Sequence, residues 1–147
     1  GWRLGYLIAE PDVALKMAQM QEFVTSHAPS MAQVAAITAL RDGEPFIAES
    51  LARYTRLRDL AMAKLSAIDG LAAAQSDGAF YTFFKLPEGT ASVSFCEELL
   101  RETGVVVAPG AAFGAGGEGW ARICYATEDA LLADAIERLG AFVQARL

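Results

Sequence analysis

The chain has 147 residues, 54% of them hydrophobic and 20% charged, with a formal net charge of −6. That balance excludes intrinsic disorder, and a domain of this length buries roughly two-thirds of its unfolded surface. It also offers no basic face of the kind that nucleic-acid binding requires. The densest basic cluster, Arg53, Arg56, Arg58 and Lys64, is diluted by Glu44, Glu49 and Asp59, and reads as a solvated helix face.

The chain opens Gly1-Trp2-Arg3-Leu4-Gly5-Tyr6-Leu7-Ile8-Ala9, without an initiator Met and within an apolar run. Domain termini usually lie at exposed edges, so the expectation is a piece cut from something longer. Leu4–Ala9 is predicted as a strand that ends at Glu10-Pro11-Asp12, with the proline near the first helical position. A helix follows over Val13–Val24, its Val13, Met17, Met20 and Val24 at helical spacing. Thr25–Ser30 reads as a loop, with Ser30 the expected N-cap of an alanine-rich helix over Met31–Leu40. The turn Asp42-Gly43-Glu44-Pro45 leads into a long helix, about Phe46–Ala67.

After Asp69-Gly70 the texture changes to alternating strands and helices, which places a domain boundary near Gly70, with parts 1–69 and 70–147. Ala79–Leu86 is an aromatic-rich strand, Ser92–Glu102 a helix ended by Gly104, and Val105–Ala108 a strand running into Pro109-Gly110. A loop containing Gly114, Gly116, Gly117 and Gly119 comes next, then a strand over Ala121–Ala126 that carries Arg122. The last element is an amphipathic helix from Glu128 to about Arg146, with Thr127 the expected N-cap. The fold class is therefore α/β: a helical first part with one strand, then a compact α+β unit.

Few residues in this pattern carry chemistry. A guanidinium inside a buried strand needs a partner, and its planar fork of donors suits a carboxylate held by two parallel bonds. Arg122 is thus either a structural arginine tied to Glu118 or Asp129, or the seat of an acidic ligand. The glycine loop before it has no following Walker-type lysine, so a tight approach of backbone to the Arg122 strand explains it better than phosphate cradling. Cys96 and Cys124 have no disulfide or metal spacing and are expected as reduced core residues, which points to a cytoplasmic location. His27 is the lone histidine, and no metal site is expected from it. No apolar run reaches the ~18 residues of a membrane span.

The order of motifs goes further. Gly1-Trp2-Arg3-Leu4-Gly5-Tyr6, Gln33 with Ala35-Ala36, Gly78-Ala79-Phe80-Tyr81, Pro109-Gly110, Phe113-Gly114, and Arg122 followed by Tyr125-Ala126 occur in sequence along the whole chain. In this order and spacing they resemble fold-type I pyridoxal-phosphate enzymes, specifically class I/II aminotransferases of the aspartate aminotransferase type. The resemblance implies the C-terminal portion of such an enzyme. Residues 1–69 would be the end of the large cofactor domain with its connecting helix, and 70–147 the small domain.

The resemblance further implies that Arg3 binds the phosphate of pyridoxal 5'-phosphate and that Arg122 clamps the α-carboxylate of the substrate. Read from its residues alone, Arg3 is equally a strand-entry arginine paired with a neighbouring acid. Tyr81 falls near the substrate side chain in the family, with core packing as the competing reading for it and for Phe80. Thr25 and Ser26 fall where the family often places residues near the cofactor phosphate of a partner subunit, which implies a homodimer.

No catalytic residue is assigned within the chain. The family's Schiff-base lysine lies just upstream of the Gly-Trp-Arg segment, and Lys16, Lys64 and Lys85 do not match it. The acid that pairs with the pyridine nitrogen and the aromatic residue stacked on the ring also belong upstream. The implied reaction moves an amino group between an amino acid and a 2-oxo acid, and the fragment alone is expected to be inactive. Related chemistries (C–S lyase, decarboxylase or synthase) and a non-catalytic binding domain remain open alternatives on the residues alone.

Overall fold

Hydrophobic spacing sets the elements, and the computed structural model describes them over residues 1–146. In chain order they are α1 (Pro11–Thr25), α2 (Ser30–Asp42), α3 (Glu44–Ser66), β1 (Ala72–Ala73), β2 (Tyr81–Lys85), α4 (Ser92–Thr103), β3 (Ala108–Pro109), β4 (Trp120–Cys124) and α5 (Asp129–Gln144). Two short 3-10 turns, Gly110–Phe113 and Ala115–Gly117, fill the glycine-rich loop between β3 and β4. The fold is α/β. Two compact units are distinguished, 1–49 and 50–147. Their division falls inside α3, whereas the change of texture near Gly70 follows the end of that helix.

The first unit holds α1, α2 and the start of α3. Leu4–Ala9 is not a strand, contrary to expectation. A strand exists only through its pairing, and no neighbouring strand lies alongside 4–9 among the described residues. Ser30 is not the N-cap of α2 either. The Pro29 carbonyl accepts the Gln33 N–H at 3.1 Å, so Pro29 is the capping position and Ser30 opens the first turn.

In the second unit the four strands run in the order β1-β2-β4-β3, each pair antiparallel. Side chains alternate across a strand, and among the described residues only one face is covered. Thr82 and Phe84 of β2 and Ala121 and Ile123 of β4 are buried on that face. They join a core with Leu57, Ala61 and Leu65 of α3, Phe95 and Leu99 of α4, and Leu132, Ile136, Leu139 and Phe142 of α5. Phe95 and Phe142 meet edge to face at 5.4 Å. Burying an aliphatic or aromatic side chain of this kind contributes about 1.5–3 kcal/mol, so the sheet's inner face and these helices dominate stability.

One-sided burial, strand pairing and helix capping each change an expectation. The segment 121–126 is not buried throughout: Arg122 is half-buried and Cys124 is exposed, so only Cys96 is a core cysteine. The strand expected over Val105–Ala108 shrinks to Ala108–Pro109, the only part that pairs with β4. At α5 the capping position is Glu128, whose carbonyl accepts the Leu132 N–H at 2.9 Å; Thr127 lies one residue earlier. Gly104 ends α4 as expected, at φ 74°, a left-handed conformation that glycine adopts without Cβ strain.

Candidate carboxylate site on the open sheet face

The alternation that buries Ala121 and Ile123 turns Arg122 to the opposite face. Its cross-strand partners are Phe83 on β2 and Ala108 on β3, with Tyr81 two residues from Phe83 on the same face. The Arg122 Cζ lies 4.1 Å from the Tyr81 ring centroid and 4.3 Å from the Phe113 ring centroid. Phe113 in turn meets Phe83 edge to face at 5.3 Å. The guanidinium therefore rests against two aromatic rings, which attract the cation and limit its rotamers.

Arg122 has no carboxylate partner among the described residues. The two acids that could have tied it down are engaged elsewhere. Glu118 accepts the Ser92 backbone N–H at 2.7 Å and the Ser92 hydroxyl at 3.0 Å. Asp129 pairs with Arg56 at 3.2 Å. Both carboxyls are held below the usual carboxylate range: Glu118 by its bonds from the Ser92 N–H and hydroxyl, Asp129 by hydrogen bonding to Arg56. The alternative of a structural arginine tied to either acid fails.

The glycine loop makes this arrangement possible. A Cβ on Gly110 would sit 1.9 Å from the Gly117 carbonyl oxygen and 2.6 Å from that of Trp120. A Cβ on Gly117 would sit 2.1 Å from the Gly110 oxygen. Backbone approaches backbone here, but the approach to the Arg122 strand expected of Gly114, Gly116, Gly117 and Gly119 is made by Gly110 instead: Gly117 meets Gly110, and the other three have nothing within 4 Å. Sequence order marks Phe113 only as a motif landmark and does not disclose its contact with the arginine. An aromatic residue inside a glycine loop, just ahead of a strand arginine, was the available signal.

Arg3 lies in the first unit, exposed and at φ 55°. It lines a cleft of about 500 Å³ with Trp2, Ala32, Ala35 and Ala36. It also lines one of about 740 Å³ that includes Tyr6, Gln21, Thr25 and His27. No acid among the described residues pairs with it, so the strand-entry ion pair is not formed. The Thr25 hydroxyl accepts a bond from the Gln21 side chain, and Ser26 does not line the cleft. Among the described residues no group of His, Cys, Asp and Glu could hold a metal ion, and no helix is long and apolar enough to cross a membrane.

The model of the family "Aminotransferase class I and II" matches residues 1–139. The LL-diaminopimelate aminotransferase of Oleidesulfovibrio alaskensis is 37% identical over 139 residues, which cover 95% of this chain and 36% of that enzyme. The aspartate aminotransferase of Pyrococcus horikoshii is 37% identical over 142 residues, again 95% of this chain and 36% of the relative. Among solved structures, the aromatic aminotransferase from Pyrococcus horikoshii superposes with a TM-score of 0.87 at 36% identity, over 99% of this chain and 39% of that one. An archaeal alanine:glyoxylate aminotransferase gives 0.90 at 26% identity, over 100% and 38%. The chain thus spans little more than a third of the length of the relatives it matches. With the family model covering 1–139 and ordered similarity along the same residues, the chain belongs to the class I and II aminotransferases.

Proposed function

We propose that the intact protein is a pyridoxal-phosphate-dependent aminotransferase that moves an amino group between an amino acid and a 2-oxo acid, with Arg122 binding the substrate carboxylate. One observation carries this reading: the Arg122 guanidinium is seated on Tyr81 and Phe113, and the nearby acids Glu118 and Asp129 are bonded to other groups. A carboxylate arriving in the plane of the fork would accept two parallel N–H bonds, which fix orientation as well as position. Such fixing lowers the barrier of any reaction at the adjacent carbon, since alignment is gained at binding rather than in the reaction. Tyr81 acts as the platform that limits where the guanidinium can turn.

Arg3 suits the phosphate end of the cofactor. Its donors are unpaired among the described residues, and it borders two clefts, so the donor chemistry fits a phosphate dianion. Pyridoxal phosphate, when bound, supplies an electron sink for charge developing at the substrate α-carbon. The 147 residues alone are expected to be inactive, because the resemblance assigns the lysine that bonds the cofactor to a position upstream of Gly1. A cytoplasmic homodimer is part of the same proposal. It is supported by the two free cysteines and by the exposed apolar side chains Ile8, Phe23 and Val24 of the first unit.

The test is an amino-acid panel with 2-oxoglutarate as acceptor, run on the full-length protein. Glutamate formation that requires both the amino donor and pyridoxal phosphate is expected. Release of ammonia without consumption of the oxo acid would replace this reading with lyase chemistry.

A further inference from the structure

Phe113 contributes half of the aromatic seat of Arg122, and besides the guanidinium its ring meets Phe83 edge to face, which is itself outside the buried core. The Phe113 side chain is 49% exposed, and it sits in a loop whose Gly114 and Gly119 have φ of 111° and 77°. Glycines give a loop many backbone states, so a ring carried by such a loop wanders unless the backbone is tied. The tie is visible. Glu118 Oε1 accepts the Ser92 N–H at 2.7 Å, and Oε2 accepts the Ser92 hydroxyl at 3.0 Å. The Ser92 Oγ accepts the Ala111 N–H at 3.3 Å. Ser92 opens α4 and is fully buried, which makes it a rigid post. One carboxylate thus fastens the end of the loop to α4, while Ala111 fastens its start to the same post, and Phe113 lies between the two fastenings.

We propose that Glu118 is a positioning residue for Arg122: bonded to Ser92, it fixes the 110–119 loop and so holds the Phe113 ring against the guanidinium. This rests on the reading of Arg122 as the carboxylate clamp. Glu118 does not touch the ligand, and its effect on binding runs through Phe113. The same bonds from Ser92 hold its carboxyl below the usual carboxylate range.

The test is a double-mutant cycle in the full-length protein, with 2-oxoglutarate as the probe and its binding followed by calorimetry. Glu118→Ala should weaken binding roughly 3- to 10-fold, the scale of losing one ordered cation–π contact. Glu118→Gln should recover most of the loss, because its amide oxygen can still accept the Ser92 N–H. Phe113→Leu should weaken binding by a similar factor, and the double variant should bind no worse than Phe113→Leu alone. Parent-like binding by Glu118→Ala, or penalties that multiply in the double variant, would overturn the proposal. If Glu118→Ala does not fold, Glu118→Met, which keeps the side-chain length and accepts no bond from Ser92, takes its place in the cycle under the same criteria. Arg122→Ala is the control. If it binds the probe as the parent does, the clamp reading falls and the proposal with it. If it loses binding while Glu118→Ala does not, only the Glu118 proposal falls.

Discussion

The hydroxyl of Tyr125 donates to the carbonyl oxygen of Ala79 at 3.1 Å, across 46 residues of sequence. Ala79 stands at φ 59°, a conformation that costs a non-glycine residue, and it lies one residue short of β2, separated from it by Phe80. The Tyr125 ring is buried at 1% exposure, and its own N–H is donated to the Phe80 carbonyl at 3.0 Å. A strained corner is thus held from the core, two residues before the Tyr81 ring that carries Arg122.

Tyr125→Phe removes that hydroxyl and little else. A net loss of about 0.5–1.5 kcal/mol is expected, with the m-value unchanged. Urea denaturation measures it. A neutral result would mean that Ala79 needs no tether.

Gly110→Ala is expected to be more harmful despite adding one methyl. Its Cβ would meet two backbone oxygens, at 1.9 and 2.6 Å, and neither can move without shifting β4 or the loop. Overpacking of this kind costs about 1–3 kcal/mol. Thermal melting of the variant, compared with the solvent-facing Gly116→Ala, checks it: the Gly116 variant has nothing within 4 Å of the new methyl and should lose less.

The two cysteines should differ sharply. Cys124 is exposed at the end of β4, whereas Cys96 is buried and its thiol is pushed up to about 11 by desolvation. A thiol titration at pH 8 should show Cys124 reacting fast and Cys96 only on unfolding. Because burial raises the folded-state value of Cys96, its contribution is complete below the ordinary thiol value and is lost as pH rises toward 11. Cys96→Ala should flatten that alkaline limb.

Acid should act through Glu118 and Asp129. Both carboxyls are held below their ordinary values in the folded chain, Glu118 by the bonds from Ser92 and Asp129 by Arg56. Their contribution is therefore present above the unfolded values, near ~4, and disappears as pH falls through the lower folded ones. Stability against urea should be level around neutrality and decline below about pH 4. Replacing both residues by their amides should reduce that slope, and an unchanged slope would assign it to other acids.

Much of the fold was legible from local signals that need no partner. The helical spacing of Val13, Met17, Met20 and Val24 locates α1 although all four side chains are exposed, and Gly104 marks the end of α4. What failed did so where structure depends on neighbours. Leu4–Ala9 has strand composition, but strand formation is a property of pairs. Cys124 looked buried because an apolar run does not disclose that only one face of its sheet is covered. At the site, Arg122 and Tyr81 were named from their motifs, but the Phe113 contact and the Ser92–Glu118 tie depend on loop geometry that spacing does not encode.

Steady-state kinetics of Arg122→Ala and Arg122→Lys in the full-length protein decide whether Arg122 is the proposed carboxylate clamp. Removing a paired charge costs on the order of 2–5 kcal/mol, so kcat/KM for the amino acid should fall by about 30-fold or more in Arg122→Ala. Arg122→Lys should recover little, since an ammonium keeps the charge but loses the planar fork. Pyridoxal phosphate retention after dialysis should match the parent in both. Unchanged kcat/KM, or a loss of cofactor with substrate kinetics intact, would contradict the assignment.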